Sequence, residues 1–393
     1  MREVDTVRAF LRWTGLRAGL HRGWWLVTSV YLVVDARLDA AGPVGVAVAQ
    51  SAAALVAEVP AGVLADVVGR KWSLVVSHAL MGTAMLATGL VTDLPAVLAT
   101  QMLWGLAWSF ASGADVAWVS DELGRPREVA AVLVRAGRVE LLGSALGMAG
   151  LGLLASAVGR GPTMVLAGAA VLALGGWVAT RLREQRVPTA RRGRAVLLDA
   201  MALVRRSRVL PVVFAAASLV GAALDVSGRL QPQRLVAVGF PTEPLLWFSA
   251  LGIAALLLGA LAMRRRTAGA AGPWYAAACG GAAVGVAGLA VATAAPVAVA
   301  AVLLLGGAAP MTRTLAVVRV NAEARDDSRA TVLSLLAQAE YAGKIGLGTG
   351  LAALAGVAGP GGALLAAAAL LALAACLTVL GPNGRGADVG GRP

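Results

Sequence analysis

Charge is what this chain is short of. Only 14% of its 393 residues are Asp, Glu, Lys or Arg, against 59% hydrophobic, whereas a soluble domain carries about 25% charge. A water-soluble core of this length could not bury so much apolar surface, so the bilayer is the solvent that fits. Cysteine is scarce too. Cys279 and Cys376 lie in different apolar runs, which excludes a disulfide framework or a thiolate metal cluster. There is no Gly-rich nucleotide loop ending in Lys-Ser/Thr, and no loop long enough for a catalytic domain. No enzyme activity, catalytic residue, cofactor or metal is expected, and ATP-driven transport is disfavoured. The basic lead from Arg2 to Arg12 is not followed by a short apolar stretch ending in a cleavage site, so the first hydrophobic segment is expected to be retained.

What is present is a series of apolar segments, near 14–34, 43–65, 72–91, 95–118, 138–157, 162–180, 211–228, 244–263, 273–292, 296–316, 331–354 and 360–380. Each is long enough to cross a hydrocarbon core as a helix, and helices are required because lipid cannot satisfy a free backbone. The expected fold is an all-α membrane protein with twelve transmembrane helices in two six-helix halves, 1–180 and 211–393. A polar, Arg-rich central loop, 181–210, joins them. Within it, 195–209 has the apolar and basic residues of a surface-lying helix, with a plain tether as the other reading.

The net charge of +13 does not indicate nucleic-acid binding, because the arginines fall in short clusters between apolar runs rather than in one patch. With the N-terminus inside, 26 of the 34 Lys and Arg lie on the cytoplasmic side. Arg37, Arg160, Arg229 and Arg234 fall outside, and Arg17, Arg22, Arg313 and Lys344 fall within or near helices. That asymmetry puts both termini in the cytoplasm. Lysine occurs only twice, at Lys71 and Lys344, while Ala, Gly, Val and Arg abound, a bias of GC-rich bacterial genomes. The expected location is therefore a bacterial plasma membrane.

The loop after the second segment reads Gly62-Val-Leu-Ala-Asp66-Val-Val-Gly69-Arg70-Lys71. Gly62 suits close helix approach, Asp66 can pair with an Arg or a helix N-terminus, and Gly69 suits a positive-φ turn. Arg70 and Lys71 anchor the loop in the cytoplasm. A loop obeying only the positive-inside rule would need the two basic residues alone. The stretch, with Glu58-Val-Pro60-Ala before it, resembles the signature loop of the major facilitator superfamily. That resemblance implies the major facilitator fold, and a gate role for Asp66, Arg70 and Lys71 that holds the cytoplasmic side closed. Ser112 to Trp118, Asp121-Glu122 and Ser328 to Thr331 resemble a bacterial branch described as drug and metabolite efflux permeases. Two motifs depart from proton-coupled and drug-antiporter patterns. Gln101 stands where many members have an Arg, four residues before Gly105. In helix five Gly143, Gly147 and Gly152 persist, but Met148 and Leu151 replace a Pro and a Gly.

Ionisable groups within membrane helices are functional candidates by default. They are His21, Asp115, Asp225, Arg313, Glu340 and Lys344. By resemblance, helices one, four, seven and ten line the central pathway, which brings His21, Asp115 and Asp225 toward it as proton-coupling candidates; helix packing is the competing reading. Glu340 and Lys344, four apart, suit an ion pair on one face or a coupling role. Asp121 and Glu122 read as loop charges. Trp104 and Trp108 share a face and suit an aromatic wall for an apolar or cationic solute, against a plain packing role. Trp13, Trp24, Trp25, Trp72 and Trp247 read as interface anchors.

The function expected is alternating-access transport of a small-molecule substrate by a lipid-embedded monomer, as proton-driven efflux of a drug-like or natural-product compound. The alternative is import of a sugar, amino acid or other metabolite; a non-transporting sensor or enzyme is a remote third. The topology has a direct test. With Cys279 and Cys376 replaced by Ala, a cysteine introduced by Ala40→Cys should react with an impermeant maleimide on intact cells. One introduced by Arg192→Cys should react only after the cells are opened; the opposite pattern inverts the topology.

Overall fold

The computed structural model describes residues 2–112, 114–123, 126–182, 184, 201–264, 271–323 and 329–380. Side chains at 2–4, 59, 63–67, 126–127, 130, 264, 271 and 329–331 lie outside that description. The described residues form helices and no strand: α1 Arg2–Val34, α2 Ala41–Val67, α3 Arg70–Thr88, α4 Leu94–Ala111, α5 Ala114–Leu123, α6 Pro126–Val158, α7 Arg160–Arg181, α8 Leu210–Ala237, α9 Leu246–Arg264, α10 Ala271–Val291, α11 Ala295–Glu323 and α12 Arg329–Leu380.

Nine stretches of the described residues are long and apolar enough to span a membrane on that ground alone, with α4 and α5 forming one of them and α12 another. α12 has 52 residues, about 78 Å at 1.5 Å per residue, which is more than twice the thickness of a hydrocarbon core. Its helical path breaks at Gly359, whose φ of 69° and ψ of −177° are not helical, so it is two membrane legs. α1 and α3 complete the expected twelve. Arg17, His21 and Arg22 in α1, and Ser73, Ser77 and His78 in α3, dilute their hydropathy. Helix four differs from its expected continuous form. α4 ends at Ala111, where the Ser112 N–H donates to the Trp108 carbonyl, and α5 starts afresh at Ala114.

The chain divides into two compact units. The first is Met1–Leu38, Ala49–Ala190 and Pro241–Ile253; the second is Asp39–Val48, Arg191–Phe240 and Ala254–Pro393. Two short stretches, 39–48 and 241–253, thus group with the unit opposite to the half that contains them in sequence. Of the surface helix expected at 195–209, the portion 195–200 lies outside the described residues, while 201–206 is helical.

Without a hydrophobic drive between helices in lipid, close packing depends on small residues that let backbones touch. In the first unit α1 and α6 do this through facing glycines. A Cβ on Gly15 would lie 2.8 Å from the Val139 side chain, and one on Gly19 2.8 Å from the Gly143 carbonyl oxygen. Gly143 and Gly147 face the backbones of Gly15 and Gly19 more closely still. The helix-five glycines therefore hold α1 against α6. α3 and α7 meet likewise through Gly82 and Gly168, and through Gly89 and Gly161. In the second unit Gly343 of α12 rests on the backbone at Ser218 of α8, whose hydroxyl donates to the Ala339 carbonyl at 2.7 Å.

Overpacking a tight contact costs about 1–3 kcal/mol. Gly147→Val is accordingly expected to lower the Tm of the purified protein. Gly150→Ala, on the same helix with nothing within 4 Å of an added Cβ, should leave it unchanged or raise it. Equal Tm values in the two variants would contradict the packing account.

Candidate functional site

α1 and α4 bring five ring-bearing side chains together in the first unit. Glycines 15, 19 and 23 face α6, so the helical period turns residues 17 and 21 to the far side of α1. There His21 stacks on Trp104, with centroids 5.3 Å apart and planes at 22°, and lies 5.4 Å from Trp108. Trp104 and Trp108, one turn apart on α4, stack at 5.6 Å and 14°. Trp24 and Trp25 flank Trp104 at 6.4 and 6.1 Å. Trp104 and Trp108 thus belong to a cluster with Trp104 at its centre, in contact with the other four rings. Two of its polar atoms, His21 Nε2 and Trp104 Nε1, are buried without a hydrogen-bond partner among the described residues. Such groups are costly to leave unmade, and they mark where a ligand acceptor or donor would gain most.

Not every Trp read as an interface anchor is one. Trp72 and Trp247 are 47% and 54% exposed, but Trp13 and Trp24 are fully buried. Trp24 donates to the Met85 carbonyl at 3.3 Å. Trp13 donates to His78 Nε2 at 3.1 Å, while His78 Nδ1 lies 2.6 Å from the Leu74 carbonyl. That pairing fixes the proton on Nδ1 and makes His78 a neutral structural link. His78 was not singled out from the sequence; its place four residues after Leu74 on a helix gives no sign of the Trp13 contact.

The intramembrane charges fall into several environments. Asp115, in the first turn of α5, pairs with Arg17 at 3.0 Å, and the Arg17 guanidinium also lies 4.5 Å over the Trp13 ring. Gln101 is wholly buried. It accepts from Gln50 at 2.6 Å and donates to Thr88 at 2.9 Å, tying α2, α3 and α4. Asp225 lies in α8 four residues before Arg229, which is buried. Arg313 is exposed on α11, and the buried cation of that helix is Arg319. The ion pair suggested for Glu340 and Lys344 is absent among the described residues. Lys344 Nζ instead lies 5.5 Å over the Tyr341 ring.

The signature loop follows its sequence reading at Gly69 and departs from it at Gly62. Among the described residues, an added Cβ at Gly62 would meet nothing within 4 Å, so they show no close helix approach there. The Asp66 side chain lies outside the described residues. Gly69 has φ +117°, as a positive-φ turn demands. Among the described residues, Glu184 is an acid at the α3 N-terminus: its Oε1 accepts from the Arg70 N–H at 2.6 Å and the Lys71 N–H at 3.4 Å. A carboxylate there satisfies free amides and complements the helix dipole. The Arg70 side chain pairs with Asp121 at 2.9 Å, which makes Asp121 more than a loop charge. Lys71 Nζ lies 5.1 Å over Trp72. Ser328 to Thr331 carry no described side chain. No group of His, Cys, Asp and Glu among the described residues could hold a metal.

The model of the Major Facilitator Superfamily matches residues 24–346. Among curated proteins, none matches this sequence. Among solved structures, the chain is similar to the nucleoside transporter NupG, with 14% identity, 95% of this chain and 98% of that one covered, and a TM-score of 0.76. It is similar to a D-xylose-proton symporter, with 15% identity, 97% and 99% covered, and a TM-score of 0.77. The human organic anion transporter MFSD10 gives 16% identity, 96% and 100% covered, and a TM-score of 0.60. At these identities the likeness is one of fold.

The Arg17–Asp115 pair yields a quantitative expectation. A double-mutant cycle with Arg17→Gln and Asp115→Asn, read by denaturant or thermal unfolding, should give a coupling of about 0.5–3 kcal/mol. Strict additivity would show that the two charges act independently.

Proposed function

Since the chain belongs to the major facilitator superfamily, we propose that it works as a proton-driven exporter of a small, planar, partly apolar compound. It is a multi-pass membrane transporter and not an enzyme. In this reading it acts as a monomer in a bacterial plasma membrane, with both termini in the cytoplasm, and alternates between outward-open and inward-open states.

The observation that carries the reading is the aromatic cluster. Stacked rings of His21, Trp104 and Trp108 offer π-faces to a flat or cationic solute. The unpartnered His21 Nε2 and Trp104 N–H offer it one hydrogen bond each. An apolar site of this kind with few fixed polar groups suits drug-like and natural-product molecules. Coupling falls to an ionisable group within a helix. His21, Asp225 and Glu340 are the leading candidates, since Asp115 is already engaged by Arg17. Arg313 and Lys344 are secondary, the first exposed and the second held over Tyr341. Gln101 supports the helices around the cluster. The signature residues Gly62, Asp66, Gly69, Arg70 and Lys71, with Asp121 and Glu184, form the cytoplasmic gate in this reading. The Arg70–Asp121 contact and the Glu184 cap break and re-form as the state changes.

A second reading, import of a metabolite, is favoured by the fold likeness to a D-xylose-proton symporter and a nucleoside transporter. One flux experiment in reconstituted vesicles addresses the cluster under either reading. Initial flux of planar aromatic cations and neutral heteroaromatics should fall about fivefold or more in Trp104→Ala, the loss of roughly 1 kcal/mol of stacking. It should be unchanged in Trp247→Ala. Equal flux in both variants would remove the cluster from the solute path.

A further inference from the structure

Apart from the aromatic cluster, the first unit holds a cavity of about 750 Å3 where the start of α1, the end of α5 and the end of α7 converge. Its floor is apolar. Trp118 and Leu182 are almost fully buried members of the core that includes Phe10, and Trp177 packs against them. Its rim is basic: Arg8 and Arg12, one turn apart on α1, and Arg181, the last residue of α7. All three are exposed. The carboxylates of Asp5 and Glu122 stand at the same rim.

Depth relative to the membrane narrows the ligand. The first apolar segment begins near residue 14, so Arg8 lies about 9 Å beyond its start at 1.5 Å per residue. The polar zones of a bilayer add roughly 5–8 Å on each side, so the Arg8 backbone stands at their outer edge and its long side chain reaches back into the headgroup layer, with Arg12 one turn deeper. With the N-terminus inside, the layer belongs to the inner leaflet, where basic pockets between helices recruit acidic headgroups. Three guanidiniums match phosphate oxygens, each able to donate two parallel hydrogen bonds. The two carboxylates accept hydrogen bonds and would repel a second phosphate, which suits a headgroup with one phosphate and free hydroxyls. The tryptophan floor suits the glycerol backbone and the first acyl carbons.

We propose that this cavity is a binding site for an acidic, hydroxyl-bearing phospholipid such as phosphatidylglycerol. Its occupancy ties the start of α1 to α5 and α7. The site rests on the N-terminus-inside reading but not on any substrate, direction or coupling ion.

Native mass spectrometry of the full-length protein in detergent tests it without a transport assay. The protein is titrated with phosphatidylglycerol, phosphatidylethanolamine and phosphatidylcholine of matched chains. Wild type should retain phosphatidylglycerol about tenfold better than the other two. Arg8→Ala with Arg181→Ala should lose about thirtyfold, given the roughly 1 kcal/mol that each basic side chain contributes near an acidic surface. Arg8→Lys with Arg181→Lys should keep most of the retention, and Arg135→Ala on the exposed face of α6 all of it. Three outcomes overturn the proposal: no preference among the lipids, retention unchanged in the double Ala variant, or glycerol phosphate alone displacing the lipid at equal concentration. The last would make the ligand a soluble anion rather than a lipid.

Discussion

α1 touches α6 backbone to backbone through Gly15, Gly19, Gly143 and Gly147, and much of the first unit is arranged by that contact. In lipid there is no hydrophobic force to hold two helices together, so the approach must be close enough for dispersion and weak polar contacts to accumulate. Once the glycine face of α1 is fixed, the helical period turns Arg17 and His21 away from α6. Arg17 then meets Asp115 and the Trp13 ring, and His21 meets Trp104 and Trp108. The ion pair at the start of α5 and the aromatic cluster on α4 are consequences of one seam of residues without side chains.

Electrostatics near the signature loop follows from a second constraint, the free amides at a helix start. The first N–H groups of α3 have no partners within their helix. Glu184 supplies one from beyond the end of α7, while Asp121 takes the Arg70 side chain. Both acids come from segments distant in sequence, so the loop joins the ends of α3, α5 and α7. Contacts of this kind have modest strength at a wet surface. That suits the gate role proposed for this loop, because a tie worth many kcal/mol would lock one state.

The fold was largely legible in the sequence. Twelve apolar runs and the uneven distribution of arginine carry the architecture, since lipid permits little else. What hydropathy cannot see is a break within an apolar run. The fresh start at Ala114 and the turn at Gly359 are backbone events in stretches of uniform composition. The site was legible in part. Pairs on one helix, such as Trp104 and Trp108, follow from spacing. Partners on different helices do not, which is why Glu184, Asp121 and His78 gained their roles only in three dimensions. The same blindness misplaced Trp13 and Trp24 at the interface and favoured Arg313 over the buried Arg319, because composition gives the depth of a residue but not the face it occupies. At Gly62 no described neighbour lies within 4 Å of an added Cβ, so the close approach suggested by its residue type is not seen among the described residues.

The measurement closest to the central claim is the sign of coupling. Vesicles containing the protein would be prepared with an acidic lumen, then with an alkaline lumen, and accumulation of a planar aromatic solute followed in each. Proton-driven export predicts accumulation against the proton flow, into the acidic lumen. Accumulation into the alkaline lumen would make the protein a symporter and contradict the export account. Accumulation indifferent to the gradient would contradict proton coupling altogether.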